Sequence, residues 1–112
     1  PQGLEVLERV GKVLKKIKDK NINVEGHTDN IPISSRLKNT FPSNWELSTA
    51  RAVNVVHFLQ DRVGIAGAKL SACGFSQYQP VSDNRNAKGR ALNRRIQIVL
   101  VPKDARVVQP LK

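Results

Sequence analysis

Apolar positions recur along the 112-residue chain in alternating helix-like and strand-like stretches. Residues 3–20 carry Val6, Val10, Val13 and Ile17 at spacings of four, three and four, with Leu7 and Leu14 beside them, and so predict a core-covering helix. Lys15, Lys16, Lys18 and Lys20 crowd its end, where cations meet the negative pole of the helix dipole. Pro1 stands just ahead of its start, where a missing N–H costs nothing. Residues 21–26 alternate: Ile22 and Val24 face one way, Asn23 and Glu25 the other, and Gly26 ends the strand. The stretch 29–43 has no period and holds Pro32, Ser34, Ser35, Asn39, Pro42 and Ser43. It reads as a loop pinned by Ile31, Ile33 and Phe41, and loops of this length usually serve a function or move. A second helix is expected from an N-cap at Ser48 to about Arg62, burying Ala52, Val55, Val56 and Leu59 and stopping at Gly64. Residues 69–75 read as a strand, 77–86 as a loop, 86–94 as a short helix containing Gly89, and 95–101 as a third strand. That strand is apolar on both faces near its end, as an interior strand would be.

The order helix, strand, helix, strand, short helix, strand predicts a two-layer α/β sandwich, with helices covering one face of a small sheet. Three strands are thin for such a sheet, so a strand preceding Pro1 is expected. The length allows one domain, 1–102, followed by a tail, 103–112. Aromatic residues make up 4% of the chain, so the core must be built mainly from Val, Leu, Ile and Ala. No apolar run approaches the length that crosses a bilayer. A start at Pro1 and the absence of Met read as a processed or excised piece.

Nineteen Lys and Arg against nine Asp and Glu give a net charge of +10, which favours an anionic partner: nucleic acid, acidic lipid or an acidic cell-wall polymer. The plainer reading is a solvated basic surface. Arg85, Lys88, Arg90, Arg94 and Arg95 fall in one region and support a basic nucleic-acid-binding α/β domain as the alternative function. The scarcity of aromatics for base stacking counts against it. A single Cys73 excludes an internal disulfide and a Cys-based zinc site. His27 and His57 have no third ligand at a convincing spacing, so neither metal nor cofactor is expected. No nucleophile–base pair has a motif's spacing, so the chain does not read as an enzyme.

Candidate chemistry concentrates between Gly26 and Leu59. Asp29 follows a strand exit and Arg51 is expected in the first turn of the next helix, where the two can share a pocket. An acid and a guanidinium so placed suit a zwitterion, Asp29 taking an ammonium and Arg51 a carboxylate in two-point fashion. The same residues also allow a plain Asp29–Arg51 salt bridge, or a turn-forming Asp29.

Gly26, Thr28 and Asp29, followed by Asn44, Leu47, Ser48, Arg51, Ala52, Val55 and Leu59, reproduce a spaced pattern that continues with Gly74, Pro80 and Asn93-Arg94-Arg95. Over 1–102 the chain thereby resembles the OmpA/MotB family of peptidoglycan-binding domains. His27, Asn30-Ile31-Pro32-Ile33, the long loop and residues 43–48 are more similar to the flagellar stator branch than to the compact outer-membrane branch. The resemblance implies an OmpA-like sandwich with a small mixed sheet, its first strand missing here. It implies non-covalent anchoring to peptidoglycan through the diaminopimelate of the stem peptide. Carried over, Asp29 takes the ammonium and Arg51 the carboxylate. Thr28 and Asn44 assist, and Arg94 or Arg95 lines the edge. It also implies a periplasmic location, in a protein held in the inner membrane by a segment outside this sequence, and leaves a homodimer open.

Overall fold

The computed structural model describes residues 2–104 and 108–111. Pro1, expected ahead of the first helix, lies outside the described residues, as do 105–107 and 112 of the expected tail. The elements run α1 (Gln2–Lys15), β1 (Lys20–His27), α2 (Asn44–Phe58), β2 (Leu70–Gly74), α3 (Ala87–Asn93) and β3 (Arg95–Pro102). A π-helical turn, Leu59–Val63, extends α2, and a 3-10 turn, Gly67–Lys69, leads into β2. The sheet order is β2-β1-β3, with β1 parallel to β2 and antiparallel to β3. The small mixed sheet with helices is the predicted α/β sandwich.

The core lies between the sheet and the helices α1 and α2. Leu14, Ile22, Val24, Ala52, Leu59 and Ile65 are buried, and Leu7, Val55, Val56, Leu70, Ala72, Ile96 and Ile98 pack against them. Ile22 and Val24 point inward from the central strand at 0% exposure, as their alternation predicts. Gly64 has φ 87° and returns its N–H to the Leu59 carbonyl, the left-handed stop expected at that position.

Four expectations are corrected. The first helix ends at Lys15, not Lys20. Its inward face carries Leu7, Gly11 and Leu14, while Val6, Val10 and Val13 stay 50%, 39% and 63% exposed. Gly11 sets this rotation: a Cβ there would stand 2.8 Å from Val63 and 3.1 Å from Leu59, so the helix approaches the end of α2 through its glycine. The third strand has one partner among the described residues rather than the two of an interior strand: β3 pairs with β1 alone there. The second helix starts at Asn44 rather than after Ser48. Ser43 is the N-cap, accepting from the Trp45 N–H at 3.1 Å and donating to Glu46 Oε1 at 2.5 Å. Ser43 and Glu46 occupy the N-cap and N3 positions of a capping box, here joined hydroxyl to carboxylate, and Ser43-Asn44-Trp45-Glu46 is its sequence signature.

Candidate functional site

Two glycines seat the helix that shapes the site. Gly26 and Gly74 face each other across the parallel pair of β1 and β2. A Cβ on Gly26 would stand 2.0 Å from the Ser48 carbonyl oxygen, and one on Gly74 2.0 Å from Thr49 Oγ1. The opening turns of α2 therefore press directly on the sheet backbone, beside the exit of β1. Ser48, fully buried, bolts the contact: its Oγ donates to the Trp45 carbonyl at 3.1 Å and accepts from the Ser76 N–H at 3.0 Å. Ser76 sits at φ 57°, turning the chain after β2 so that its carbonyl accepts from the Thr28 N–H at 2.9 Å. The exits of β1 and β2 and the start of α2 are thus one hydrogen-bonded unit.

Beside that unit lies a cleft of about 320 Å³, lined by Thr28, Asp29, Asn44, Arg51, Arg90 and Arg94 and by the apolar side chains of Ile31, Pro32, Ile33, Leu37 and Leu47. The carboxylate of Asp29, 7% exposed as a residue, is fixed at both oxygens. Oδ1 accepts from the Ile31 N–H at 2.9 Å, and Oδ2 accepts from Arg94 Nη1 at 2.6 Å. Arg51 makes no salt bridge to Asp29; its Nη1 donates to the His27 carbonyl at 3.3 Å. With the cap at Ser43, Arg51 stands two turns into α2 rather than in its first turn, and its guanidinium reaches back to the β1 exit. Asn44, 7% exposed, spends its amide nitrogen on the protein: Nδ2 lies 3.1 Å from the Ile31 carbonyl, 3.3 Å from Gln77 Oε1 and 3.5 Å from the Asp29 carbonyl. It holds the loop against the helix. The Thr28 hydroxyl donates to the Asp29 carbonyl at 2.9 Å.

Five of the six residues singled out in the sequence therefore line one cleft: Thr28, Asp29, Asn44, Arg51 and Arg94. Arg95 does not. Its Nε donates to Gln97 Oε1 at 2.5 Å, and its Nη1 and Nη2 donate to the Asn93 and Gln79 carbonyls at 3.1 and 2.8 Å. Burial lowers its pKa, an effect opposed by the charge of Glu25. Arg94 caps α3 while Arg95 opens β3, and the two side chains go to different partners, Arg94 to Asp29 and Arg95 to Gln97, Asn93 and Gln79.

Sequence reasoning did not place Arg90 in the cleft, although it falls four residues before Arg94 in a stretch read as a short helix. It also gave no role to Asn93, which is fully buried. Asn93 Oδ1 accepts from the Val81 and Ser82 N–H groups at 2.7 and 2.9 Å, while Nδ2 donates to the Ser82 carbonyl and Asn84 Oδ1 at 3.0 and 2.7 Å. It clamps the loop before α3 and so orients Arg90 and Arg94. His27 is 1% exposed, stacks on Phe75 at 5.0 Å and lies 3.0 Å from Glu25 Oε1 through Nε2. Trp45 stands 49% exposed against Tyr78, ring centroids 5.5 Å apart.

The sequence pattern of the OmpA family matches residues 1–94. Motility protein B of Bacillus subtilis is 41% identical over 86 residues, covering 77% of this chain and 32% of that protein. The peptidoglycan-binding protein ArfA of Mycobacterium tuberculosis is 34% identical over 100 residues, covering 89% of this chain and 28% of that protein. The chain thus spans about a third of the length of these relatives. Among solved structures, the C-terminal domain of Helicobacter pylori MotB superposes with a TM-score of 0.83 at 29% identity, covering 92% of this chain and 76% of that one. The cell wall anchor of the T6SS from Pseudomonas aeruginosa gives 0.74 at 42% identity, covering 88% and 64%. With this fold, and with a family match that spans most of its length, the chain belongs to the OmpA family.

Proposed function

We propose that the domain anchors a bacterial envelope protein to peptidoglycan by holding the diaminopimelate of the stem peptide in the cleft at the β1 exit. One observation carries the reading: a nearly buried carboxylate and a half-buried guanidinium, Asp29 and Arg51, line the same cleft without neutralising each other. Asp29 is already oriented by Ile31 and Arg94, and a carboxylate has lone-pair capacity beyond those two bonds for an ammonium. Arg51 keeps most of its five N–H donors for a carboxylate. Diaminopimelate carries both groups on one carbon. Asn44 and Thr28 hold the walls, Arg94 holds Asp29, and the apolar Ile31, Leu37 and Leu47 face the ligand's methylenes. ArfA and the T6SS anchor, named for peptidoglycan binding and cell-wall anchoring, support the polymer as partner. The MotB likeness supports a stator-type parent held in the inner membrane, with this domain in the periplasm.

Titration calorimetry with a soluble diaminopimelate-containing tripeptide tests this. Asp29→Asn and Arg51→Gln, each shown to be folded, should each weaken binding by roughly tenfold or more, since a hydrogen bond to a charged group contributes about 1.5–3 kcal/mol. Unchanged affinity in both variants refutes the proposal.

A further inference from the structure

The charges of the cleft do not balance for a ligand with one ammonium and one carboxylate. Three guanidiniums, Arg51, Arg90 and Arg94, face one carboxylate, Asp29. The 2.6 Å bond between Asp29 and Arg94 cancels one charge of each sign. Arg51 and Arg90 reach only backbone carbonyls, those of His27 at 3.3 Å and Asn84 at 2.9 Å. Among the described residues neither has a carboxylate within salt-bridge distance. Each of these two guanidiniums is half-buried, and each bond to a carbonyl occupies one of five donors. A simple zwitterion would leave the cleft's two surplus positive charges as it found them.

Geometry divides the charges between two walls. Arg51 stands on α2. Arg90 stands in α3 and Arg94 is the residue that caps its end, its N–H returning to the Arg90 carbonyl at 3.1 Å, so two like charges line the same wall. Asp29 pairs with Arg94, and no carboxylate among the described residues does the same for Arg90. Asn93, at the end of the same helix, locks the preceding loop, and the Asn84 carbonyl in that loop holds the Arg90 fork toward the cleft. Arg90 thus lines the cleft with donors left for an anion and no carboxylate of its own among the described residues.

We propose that Arg90 is a second carboxylate subsite and that the cleft selects stem peptides whose second carboxylate, apart from the one beside the ammonium, is free over those in which it is amidated. The inference rests on the diaminopimelate reading above. Two groups of one stem peptide supply the required chemistry: the α-carboxylate of the γ-linked glutamate that precedes diaminopimelate, and the carboxylate at diaminopimelate's far end. Either placement lets Arg51 keep the carboxylate beside the ammonium while Arg90 takes the other.

Three tripeptides test it by calorimetry against the parent domain, Arg90→Gln and Arg90→Lys: both carboxylates free, the glutamate carboxylate amidated, and the far diaminopimelate carboxylate amidated. The parent should bind the free peptide about tenfold more tightly than one of the amidated peptides, which identifies the source of the second anion. Arg90→Gln should bind those two peptides equally, at the weaker level. Arg90→Lys, which keeps the charge and loses the fork, should retain part of the preference and shows that the loss in Arg90→Gln is not a folding defect. Equal binding of all three peptides by the parent overturns the subsite. So does a preference that survives in Arg90→Gln. Binding of no peptide by the parent refutes the diaminopimelate reading itself, and the subsite with it.

Discussion

The seating of α2 on Gly26 can be tested with one methyl group. In Gly26→Ala the new Cβ would lie 2.0 Å from the Ser48 carbonyl oxygen, 2.8 Å from its carbonyl carbon and 3.3 Å from its Cα. All three are backbone atoms, so no side chain can rotate away. Restoring ordinary contact at 3.4 Å needs a retreat of about 1.4 Å by α2 or β1. That movement loosens Ala52 and Leu59, both fully buried. Overpacking of this kind costs about 1–3 kcal/mol, and the gain of roughly 0.5–1 kcal/mol from removing a strand glycine offsets only part of it. For a domain of about 100 residues a net loss of 1–2 kcal/mol lowers Tm by roughly 5–15 °C. Arg51 and Asn44 ride on α2 and Asp29 on the β1 exit, so the same shift should weaken tripeptide binding. Gly3→Ala is the control: no atom lies within 4 Å of its Cβ, and alanine favours a helix, so Tm should hold or rise. Differential scanning calorimetry and peptide titration on both variants decide the matter. A Gly26→Ala protein that melts within about 1 °C of the parent and binds as well would refute the close seating as the device that sets the cleft.

Two further outcomes follow from the loops that frame the cleft. The Ser43 hydroxyl holds the Glu46 carboxyl below its ordinary value of 4.5, so the capping bond adds stability above that pH and loses it as pH falls through the lowered value. Glu46→Gln should therefore melt below the parent at pH 7, with the gap closing under acid; a gap that is constant with pH contradicts the capping box. Asn93→Ala leaves the Val81 and Ser82 N–H groups and two acceptors without their partner. At about 1–3 kcal/mol for a buried polar group left unpaired, the urea midpoint should fall by the equivalent of roughly 2–4 kcal/mol. A loss under about 0.5 kcal/mol would show that water replaces the clamp.

Much of the molecule was legible where local chemistry decides. The alternation of Ile22 and Val24, the stop at Gly64 and the short helix around Gly89 all follow from side-chain period and backbone freedom. The start of α2 was legible too, in Ser43 and Glu46, but Ser48 offers the same hydroxyl to a reader of sequence. Only the fold shows that Ser48 is spent on Ser76. The face of α1 was not legible, because valines at helical spacing look like a core stripe and Gly11 reveals itself only against Val63 and Leu59. Asp29, Arg51 and Asn44 could be placed in one cleft from spacing and resemblance. That Asp29 pairs with Arg94 rather than Arg51 depends on how α3 meets the β1 exit across 65 residues, a distance no local rule spans. Arg94 and Arg95 are adjacent and chemically alike, so only the fold separates the one inside the cleft from the one outside.

The most direct measurement of the central claim is co-sedimentation with purified peptidoglycan sacculi, comparing the parent with Asp29→Asn and Arg51→Gln across a salt series. A soluble diaminopimelate peptide serves as competitor. The net charge of +10 favours adhesion to any anionic polymer, and that component falls away as salt screens it. The account predicts that the parent keeps sedimenting at 0.15 M salt and above, is released by the peptide, and loses this retention in both variants. Parent and variants that sediment alike, shed together by salt and indifferent to the peptide, would contradict it.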